Sequence, residues 1–391
     1  MRNIGECSVC GFSLCKVYES SSDISITSLG ALLPGKTVVF LCKACSHLQT
    51  SLLFEAGKYY NSNYKINSAD IDDDDLYGVE NNYPVYRSMH QARVFVEKMA
   101  GSGIKNILDY GCGKALTAKQ ALLLNPELDF YLYDVSRDYE DFWKSYCSSE
   151  KYAFFDTPIG WGNFFDCVTS FFSLEHVIYP LDCLLKIRNL LNSGGFLYAV
   201  VPNIYSANRS DLLVADHLHH YSPTSMKLAL ESCAFKLIEV DHNSHQQASV
   251  YIAKAVSDAK NTDIDVSEVK PSVIEVEKIV EYWKSVEARL NEFEVRAIKS
   301  GVNRIFIFGA GIIGVYFFTK FVKKDLISGF IDSNIHKQKK FYCGLPVFSP
   351  DSIDIKSADA LLVGMNSGVG KNVINAMRNF DAIKNNTFFV D

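Results

Sequence analysis

Between Lys105 and Val201 short apolar runs alternate with stretches of helical periodicity, and that alternation leaves few folds open. The runs Asn106–Tyr110, Phe130–Tyr133, Tyr152–Phe155, Asp166–Phe171 and Phe196–Val200 have the length and the β-branched or aromatic content of strands. Strands separated by helices cannot be joined by tight hairpins. The pattern therefore predicts a doubly wound α/β domain, a parallel sheet with helices on both faces.

The first run ends in a glycine turn, Lys105-Asn-Ile-Leu-Asp-Tyr-Gly-Cys-Gly113. Without side chains at Gly111 and Gly113 a ligand can approach the main chain closely. A phosphate cradle would add a third glycine or a Gly-Lys-Ser/Thr run, and Gly113-Lys-Ala-Leu offers neither. Asp109 beside the turn repels phosphate and attracts a cationic amino-acid group. The second run ends in Tyr133-Asp134, 21 residues after Gly113, where a carboxylate can accept two ribose hydroxyls. Phe155-Asp156 ends the third run and can flank an adenine, and Phe172-Ser-Leu-Glu-His176 ends the fourth.

In this order, with Asn192-Ser-Gly-Gly-Phe-Leu-Tyr-Ala-Val-Val-Pro-Asn203 following, these residues resemble class I S-adenosylmethionine-dependent methyltransferases over about residues 85–255. The resemblance implies that Asp109, Gly111 and Gly113 hold the methionine end of S-adenosylmethionine, and Ser173 is a further cofactor-binding candidate. It places Asp134 on the ribose and Phe155 with Asp156 at the adenine.

Five of the nine histidines fall between 217 and 245, in Asp216-His-Leu-His-His-Tyr221 and at His242 and His245. A sulfonium methyl is already activated, so what remains is to align the acceptor and remove its proton. Histidine suits that step near neutral pH. His217 beside Asp216 is the expected base, with His219, His220 and Tyr221 near; the spacing also permits a metal site, which methyl transfer does not require.

Upstream, Cys7-Ser-Val-Cys10 and Cys42-Lys-Ala-Cys45 are two CxxC pairs with 31 residues between them. Each pair can hold two corners of a tetrahedron, and together they predict a closed structural zinc site. Downstream, Arg304-Ile-Phe-Ile-Phe-Gly-Ala-Gly-Ile-Ile-Gly314 runs a strand into G-x-G-x-x-G, and Asp332 ends the next strand 18 residues after Gly314. Taken alone this is a dinucleotide fingerprint, which opens a second function class, an NAD(P)-dependent oxidoreductase. The unit is short and brings no catalytic constellation, so a Rossmann-like domain without cofactor is expected.

Together the three parts resemble the zinc-ribbon sugar methyltransferases of the C-methyltransferase type. Cys42-Lys-Ala-Cys-Ser-His-Leu-Gln49, Asp332-Ser-Asn-Ile-His-Lys-Gln338 and Gly344-Leu-Pro-Val347 match that plan. The resemblance implies a nucleotide-linked sugar methylated on a carbon beside a keto group, with Asp216–His217 as the acid–base pair. It puts His176 in the acceptor pocket, with Tyr83 or Tyr86. The chain departs from the family's pattern at Val214, where a tyrosine is usual, at Asp216, where glutamate is commoner, and at His245-Gln-Gln-Ala-Ser249, where His-Gly-Gly-Glu is usual. All three departures lie at the acceptor, so O-methylation of a sugar or small metabolite stays open.

The expected organisation is a zinc-binding ribbon and linker at 1–68, a methyltransferase domain at 69–256, a linker with a helix at 257–300 and a Rossmann-like domain at 301–391. The acidic run Asp70–Asp75 reads as a solvated linker, and an amphipathic helix is expected over 272–299. A net charge of −6 disfavours nucleic acid as a partner. No apolar run nears 18 residues and the start carries no export signal, so a cytoplasmic monomer or homodimer without membrane insertion is expected.

Overall fold

The computed structural model describes residues 5–53, 74–81, 83–205, 209–260, 264–338, 340–353, 358–365, 367–375 and 386–390. Most of the acidic run, residues 70–73, lies outside the described residues.

The amino-terminal unit is built of β1 (Leu14–Glu19), β2 (Ile24–Ile26), β3 (Leu32–Pro34), β4 (Val38–Cys42) and β5 (Leu48–Thr50). Strands β1, β4 and β5 form an antiparallel sheet, and β2 and β3 form a separate hairpin. A second hairpin, β6 (Leu76–Glu80) and β7 (Tyr83–Tyr86), leads into α1 (Arg87–Lys98).

The central domain continues with β8 (Asn106–Tyr110), α2 (Leu116–Leu124), β9 (Asp129–Asp134), α3 (Glu140–Trp143), β10 (Tyr152–Phe154), β11 (Phe165–Phe171), α4 (Pro180–Leu190) and β12 (Leu191–Pro202). It closes with β13 (His219–His220), α5 (Pro223–Ser232), β14 (Phe235–Asp241) and β15 (Ala248–Ala255). Seven strands lie in the order β10-β9-β8-β11-β12-β15-β14, all parallel except β15. Helices cover both faces, so the central strands β8, β11 and β12 are buried on both sides along most of their length rather than on alternate residues. On one face Phe95 and Ala92 of α1 and Ala118 of α2 pack on Ile107, Cys167 and Tyr198; on the other Leu184 and Ile187 of α4 pack on Leu108, Val168 and Leu197. The expected α/β class and all five expected strands are present. The third ends at Phe154 because Phe155 turns into the left-handed region, at φ 65°.

Strand β13 belongs to the central chain but pairs antiparallel with β5, His219 opposite Gln49 and His220 opposite Leu48. The amino-terminal sheet is thus β1-β4-β5-β13, and the histidine segment is its fourth strand.

Helix α6 (Val266–Lys299) starts ahead of Pro271, where a boundary was expected. Asp265 caps it by accepting a hydrogen bond from Ser267 N at 2.8 Å, and a proline near the start forfeits a single helical bond. Ile279, Trp283, Val286, Leu290 and Phe293 form its buried stripe, in one core with Tyr18, Val39 and Leu41 of the amino-terminal sheet and Ile305 and Phe317 beyond the helix. The carboxy-terminal unit comprises β16 (Ile305–Phe308), α7 (Ile312–Lys320), β17 (Ile327–Ile331), β18 (Phe341–Tyr342), β19 (Leu345–Phe348), β20 (Ala360–Val363), α8 (Ser367–Asn375) and β21 (Thr387–Phe389). Its sheet order is β18-β19-β17-β16-β20-β21, parallel except for β18. Among the described residues no helix is long and apolar enough to cross a membrane.

Candidate active site

At the carboxyl ends of β8 and β9, beside the reversal of strand order, the chain turns sharply. Gly111 N and Cys112 N donate to Tyr133 O at 2.8 and 3.1 Å. Gly111 sits at φ 76°, and a Cβ there would lie 2.1 Å from Ser173 Oγ. Gly113 N and Ser136 N donate to the two carboxylate oxygens of Asp134 at 2.8 and 2.9 Å. Trp143 Nε1 donates to Gly113 O at 2.8 Å, and Tyr146 OH to Ala115 O at 2.9 Å, which fixes the turn from behind.

Asp109 and Asp134 are both buried. Burial pushes Asp109 up to about 7, against the hydrogen bond it accepts from Thr169 Oγ1 at 3.0 Å. Burial also pushes Asp134 up to about 6, against the main-chain donors. Two desolvated carboxylates facing one turn favour a ligand that brings positive charge and hydroxyl donors. Phe155 is exposed, its carbonyl held by Tyr133 OH at 2.8 Å, and Asp156 follows it on the surface. Asp109, Gly111, Gly113, Asp134, Phe155, Asp156 and Ser173 thus all lie at or just beyond the carboxyl ends of β8, β9, β10 and β11. Asp134→Ala is expected to weaken S-adenosylhomocysteine binding by about 1–3 kcal/mol, because Gly113 N and Ser136 N lose their acceptor. Calorimetric titration giving an unchanged affinity would move the ribose site elsewhere.

The loop after β11 continues from Ser173 into a buried polar chamber. Glu175 is 1% exposed and neither carboxylate oxygen has a hydrogen-bond partner. His176 Nδ1 donates to Asp216 O at 2.8 Å. The His176 and His217 rings meet edge to face at 4.7 Å.

The expected pairing of His217 with Asp216 is not what the fold builds. Ala215 and Asp216 form a turn between the bridge at Val214 and the segment that carries His217, and the turn aims the two side chains apart. Asp216 faces the β2–β3 hairpin, accepting from Ser28 N at 2.7 Å and Ser28 Oγ at 2.9 Å. The carboxylate that meets His217 is Asp211, 2.6 Å from His217 Nδ1 through one oxygen and 2.6 Å from His220 Nδ1 through the other. Burial would lower His217, but the Asp211 charge outweighs it and holds the ring up at about 9. Burial would raise Asp211, but the two histidines hold it well below the usual carboxylate range. The acid paired with His217 is therefore Asp211 and not its sequence neighbour Asp216. Burial pushes Glu175 up to about 7 and His176 down to about 4.

His220 and Tyr221 are both tied into the surrounding structure. His220 has its second nitrogen 3.1 Å from Thr50 Oγ1, and Tyr221 OH donates to Leu174 O at 3.2 Å. His219 Nδ1 lies 3.0 Å from Nε2 of His47, from the amino-terminal unit. Tyr83 points to solvent, at 74% exposure; Tyr77 instead stacks on His90 at 3.9 Å, beside His245.

The four cysteines of the CxxC pairs converge. Cys10 Sγ lies 3.4 Å from both Cys42 Sγ and Cys45 Sγ, and Cys7 Sγ lies 3.7 Å from Cys45 Sγ. A tetrahedron with metal–sulfur bonds of about 2.3 Å has edges of about 3.8 Å, so the donor set fits zinc. Cys15 stays outside the cluster and donates to Leu41 O at 3.2 Å.

In the carboxy-terminal turn Asp332 accepts from Ala310 N and Asn334 N, both at 2.8 Å. Asp134 makes equivalent bonds, so these do not set the two turns apart. The differences are Lys337, whose ammonium donates to Ala310 O at 2.9 Å, and the third glycine. A Cβ on Gly314 would stand 2.0 Å from Gly309 O, and Gly364 packs against its bare Cα. Gly311 has open space around it. The packing role expected of this motif therefore sits on Gly314. Gly314→Ala is expected to cost about 1–3 kcal/mol by overpacking, and Gly311→Ala almost nothing. Chemical denaturation reads the difference, and both variants keep S-adenosylhomocysteine binding.

A family model described as a methyltransferase domain matches residues 86–240. Among solved structures, a chain of the complex between the Haloferax volcanii Trm112 methyltransferase activator and a methyltransferase is similar at 15% identity and a TM-score of 0.36, over 44% of this chain and 91% of that one. An O-methyltransferase family protein from Burkholderia thailandensis is similar at 12% identity and a TM-score of 0.35, over 43% of this chain and 57% of its own. The carbon methyltransferase CurJ is similar at 18% identity and a TM-score of 0.35, over 44% of this chain and 54% of its own. This chain thus spans little more than half of the latter two. No curated protein matches it in sequence. The strand order, the glycine turn and the family match agree, and residues 86–240 are a class I, S-adenosylmethionine-dependent methyltransferase domain.

Proposed function

We propose that the protein transfers a methyl group from S-adenosylmethionine to a nucleotide-linked sugar, on a carbon beside a keto group, with zinc held by Cys7, Cys10, Cys42 and Cys45. One observation carries the reading. A single loop, Ser173–His176, closes on the Gly111 turn at one end and enters the chamber of Glu175, His176 and His217 at the other. Donor and acceptor sites are therefore a few residues apart on one rigid segment, as direct displacement demands.

The donor brings a methyl group already activated by its sulfonium charge. The chain's share is to hold its ammonium and ribose at Asp109 and Asp134 and to exclude water from the chamber. It must also receive an oxygen-bearing acceptor among charged groups whose positions are fixed before binding. The sugar is supported by the resemblance of the ribbon, the central domain and the tail to sugar methyltransferases.

The test is incubation with methyl-labelled donor and a panel of nucleotide-linked keto sugars, read by mass spectrometry. The expected result is the gain of one methyl group on at least one of them. In deuterated water the acceptor's α-hydrogen exchanges if carbon is the nucleophile, and no exchange accompanies methylation of a hydroxyl. No methylated sugar from a protein that binds S-adenosylhomocysteine would overturn the acceptor class and leave the methyltransferase domain standing.

A further inference from the structure

The chamber holds a group that methyl transfer as described does not use. Glu175 is buried, and both its oxygens lack a hydrogen-bond partner. A buried carboxylate left without partners is costly, and native structures rarely keep one unless something else satisfies it. Around it stand His176 and His217, and one donor atom from each of the three residues lies within 4.8 Å of the others.

We propose that Glu175, His176 and His217 bind a single divalent first-row metal ion, distinct from the four-cysteine site, and that this ion receives an oxygen of the acceptor. The inference rests on the reading of this chamber as the acceptor side of the methyltransferase.

Three features of the geometry support it. Ligand atoms around an ion at about 2.1 Å span about 4.2 Å, so the trio closes on one ion with small side-chain shifts. Both rings are anchored from behind. His176 Nδ1 donates to the Asp216 carbonyl at 2.8 Å, and His217 Nδ1 lies 2.6 Å from the Asp211 carboxylate. A proton on Nδ1 puts the neutral ring's lone pair on Nε2, and such outer hydrogen bonds orient and strengthen metal-bound histidines. The chamber is also not sealed, since the His176 and His217 side chains keep 11% and 9% of their surface exposed.

Two imidazoles and one carboxylate, without thiolate, favour manganese, iron, cobalt or zinc over magnesium. Three protein ligands leave positions open, and a keto or hydroxyl oxygen in one of them would be polarised beside the donor's methyl group. The acceptor class narrows accordingly to molecules with an oxygen on, or next to, the atom methylated.

The test uses the full chain as purified, with its thiolate site filled. Titration with Mn²⁺, followed by the loss of the free-ion paramagnetic resonance signal, is expected to show one ion bound per chain. Glu175→Gln and His176→Gln are expected to weaken it at least tenfold, with zinc content and S-adenosylhomocysteine binding kept. Pulsed resonance on the wild-type complex is expected to show imidazole nitrogen coupling, which needs no variant to fold. Absence of bound Mn²⁺ and Co²⁺ beyond the thiolate equivalent, absence of nitrogen coupling, or unchanged affinity in both variants would each overturn the site. Loss of S-adenosylhomocysteine binding in the wild-type protein would strike the methyltransferase reading instead.

Discussion

With zinc at the proposed four-thiolate site, Cys42→Ser is expected to lose the metal and nearly all methyl transfer, while the donor turn still binds S-adenosylhomocysteine. The four sulfurs sit at tetrahedral spacing, and a structural zinc site contributes about 10–16 kcal/mol to the unit that carries it. That exceeds or equals the stability of a typical domain, about 5–15 kcal/mol, so the ribbon should not stay folded with a ligand removed. The damage spreads because Cys42 ends β4 and the next strand, β5, pairs with β13. With it go the contacts of His47 to His219 and of Thr50 to His220. The chamber loses its wall, whereas Gly111, Gly113, Asp109 and Asp134 belong to the central sheet. Elemental analysis, a transfer assay and calorimetry read the three parts separately. A zinc-free Cys42→Ser protein with full turnover would sink the structural role of the site.

Gly111→Ala is expected to weaken donor binding strongly and to cost the fold a few kcal/mol. The position has φ 76°, where a side chain costs about 1–2 kcal/mol. The new Cβ would also meet Ser173 Oγ at 2.1 Å, and overpacking of that kind costs about 1–3 kcal/mol more. Relief comes by pushing the turn away from Ser173. That moves the main chain that must approach the ligand and drags the loop carrying Glu175 and His176. The strain itself, about 2–5 kcal/mol, is lost from folding stability, and the displaced turn is expected to bind S-adenosylhomocysteine at least tenfold more weakly. A second variant, Gly111→Ala with Ser173→Gly, removes the clash but not the φ strain, and is expected to recover part of the binding. Native affinity in Gly111→Ala alone would place the donor elsewhere.

Much of this molecule is legible in its sequence, and what is not has a common cause. The five parallel strands, the turn and the carboxylates at their ends follow from local periodicity and from residue chemistry at fixed offsets. The four-thiol cluster follows from spacing within each CxxC pair. The acid that serves His217 does not follow. Asp216 adjoins it in sequence, but it sits in the turn ahead of His217 and is taken by Ser28, and Asp211, six residues earlier on a short 3-10 helix, is brought to the ring across that turn. The signal available was an acidic residue just upstream of a dense histidine run, and nothing local chooses between two such acids. Glu175 stood in view within Phe172-Ser-Leu-Glu-His176, yet its burial beside His217 is a property of tertiary structure. Ser28, His47 and Thr50 reach the chamber from the ribbon, 170 to 188 residues away in sequence, and no periodicity reports a contact at that range.

The pairing of β5 with β13 sets a timetable for the protein's synthesis. Thr50 leaves the ribosome 170 residues before His220, which at roughly 5–20 residues per second is about 10–30 s. Through that interval the ribbon can bind its metal and form β1, β4 and β5, but β5 presents a bare row of main-chain donors and acceptors. An open edge of this kind recruits other strands, including those of neighbouring nascent chains. The strand that covers it is two residues long and arrives only after β8 to β12 have emerged. Chaperone supply and translation speed should therefore govern the yield of folded protein more than its final stability does.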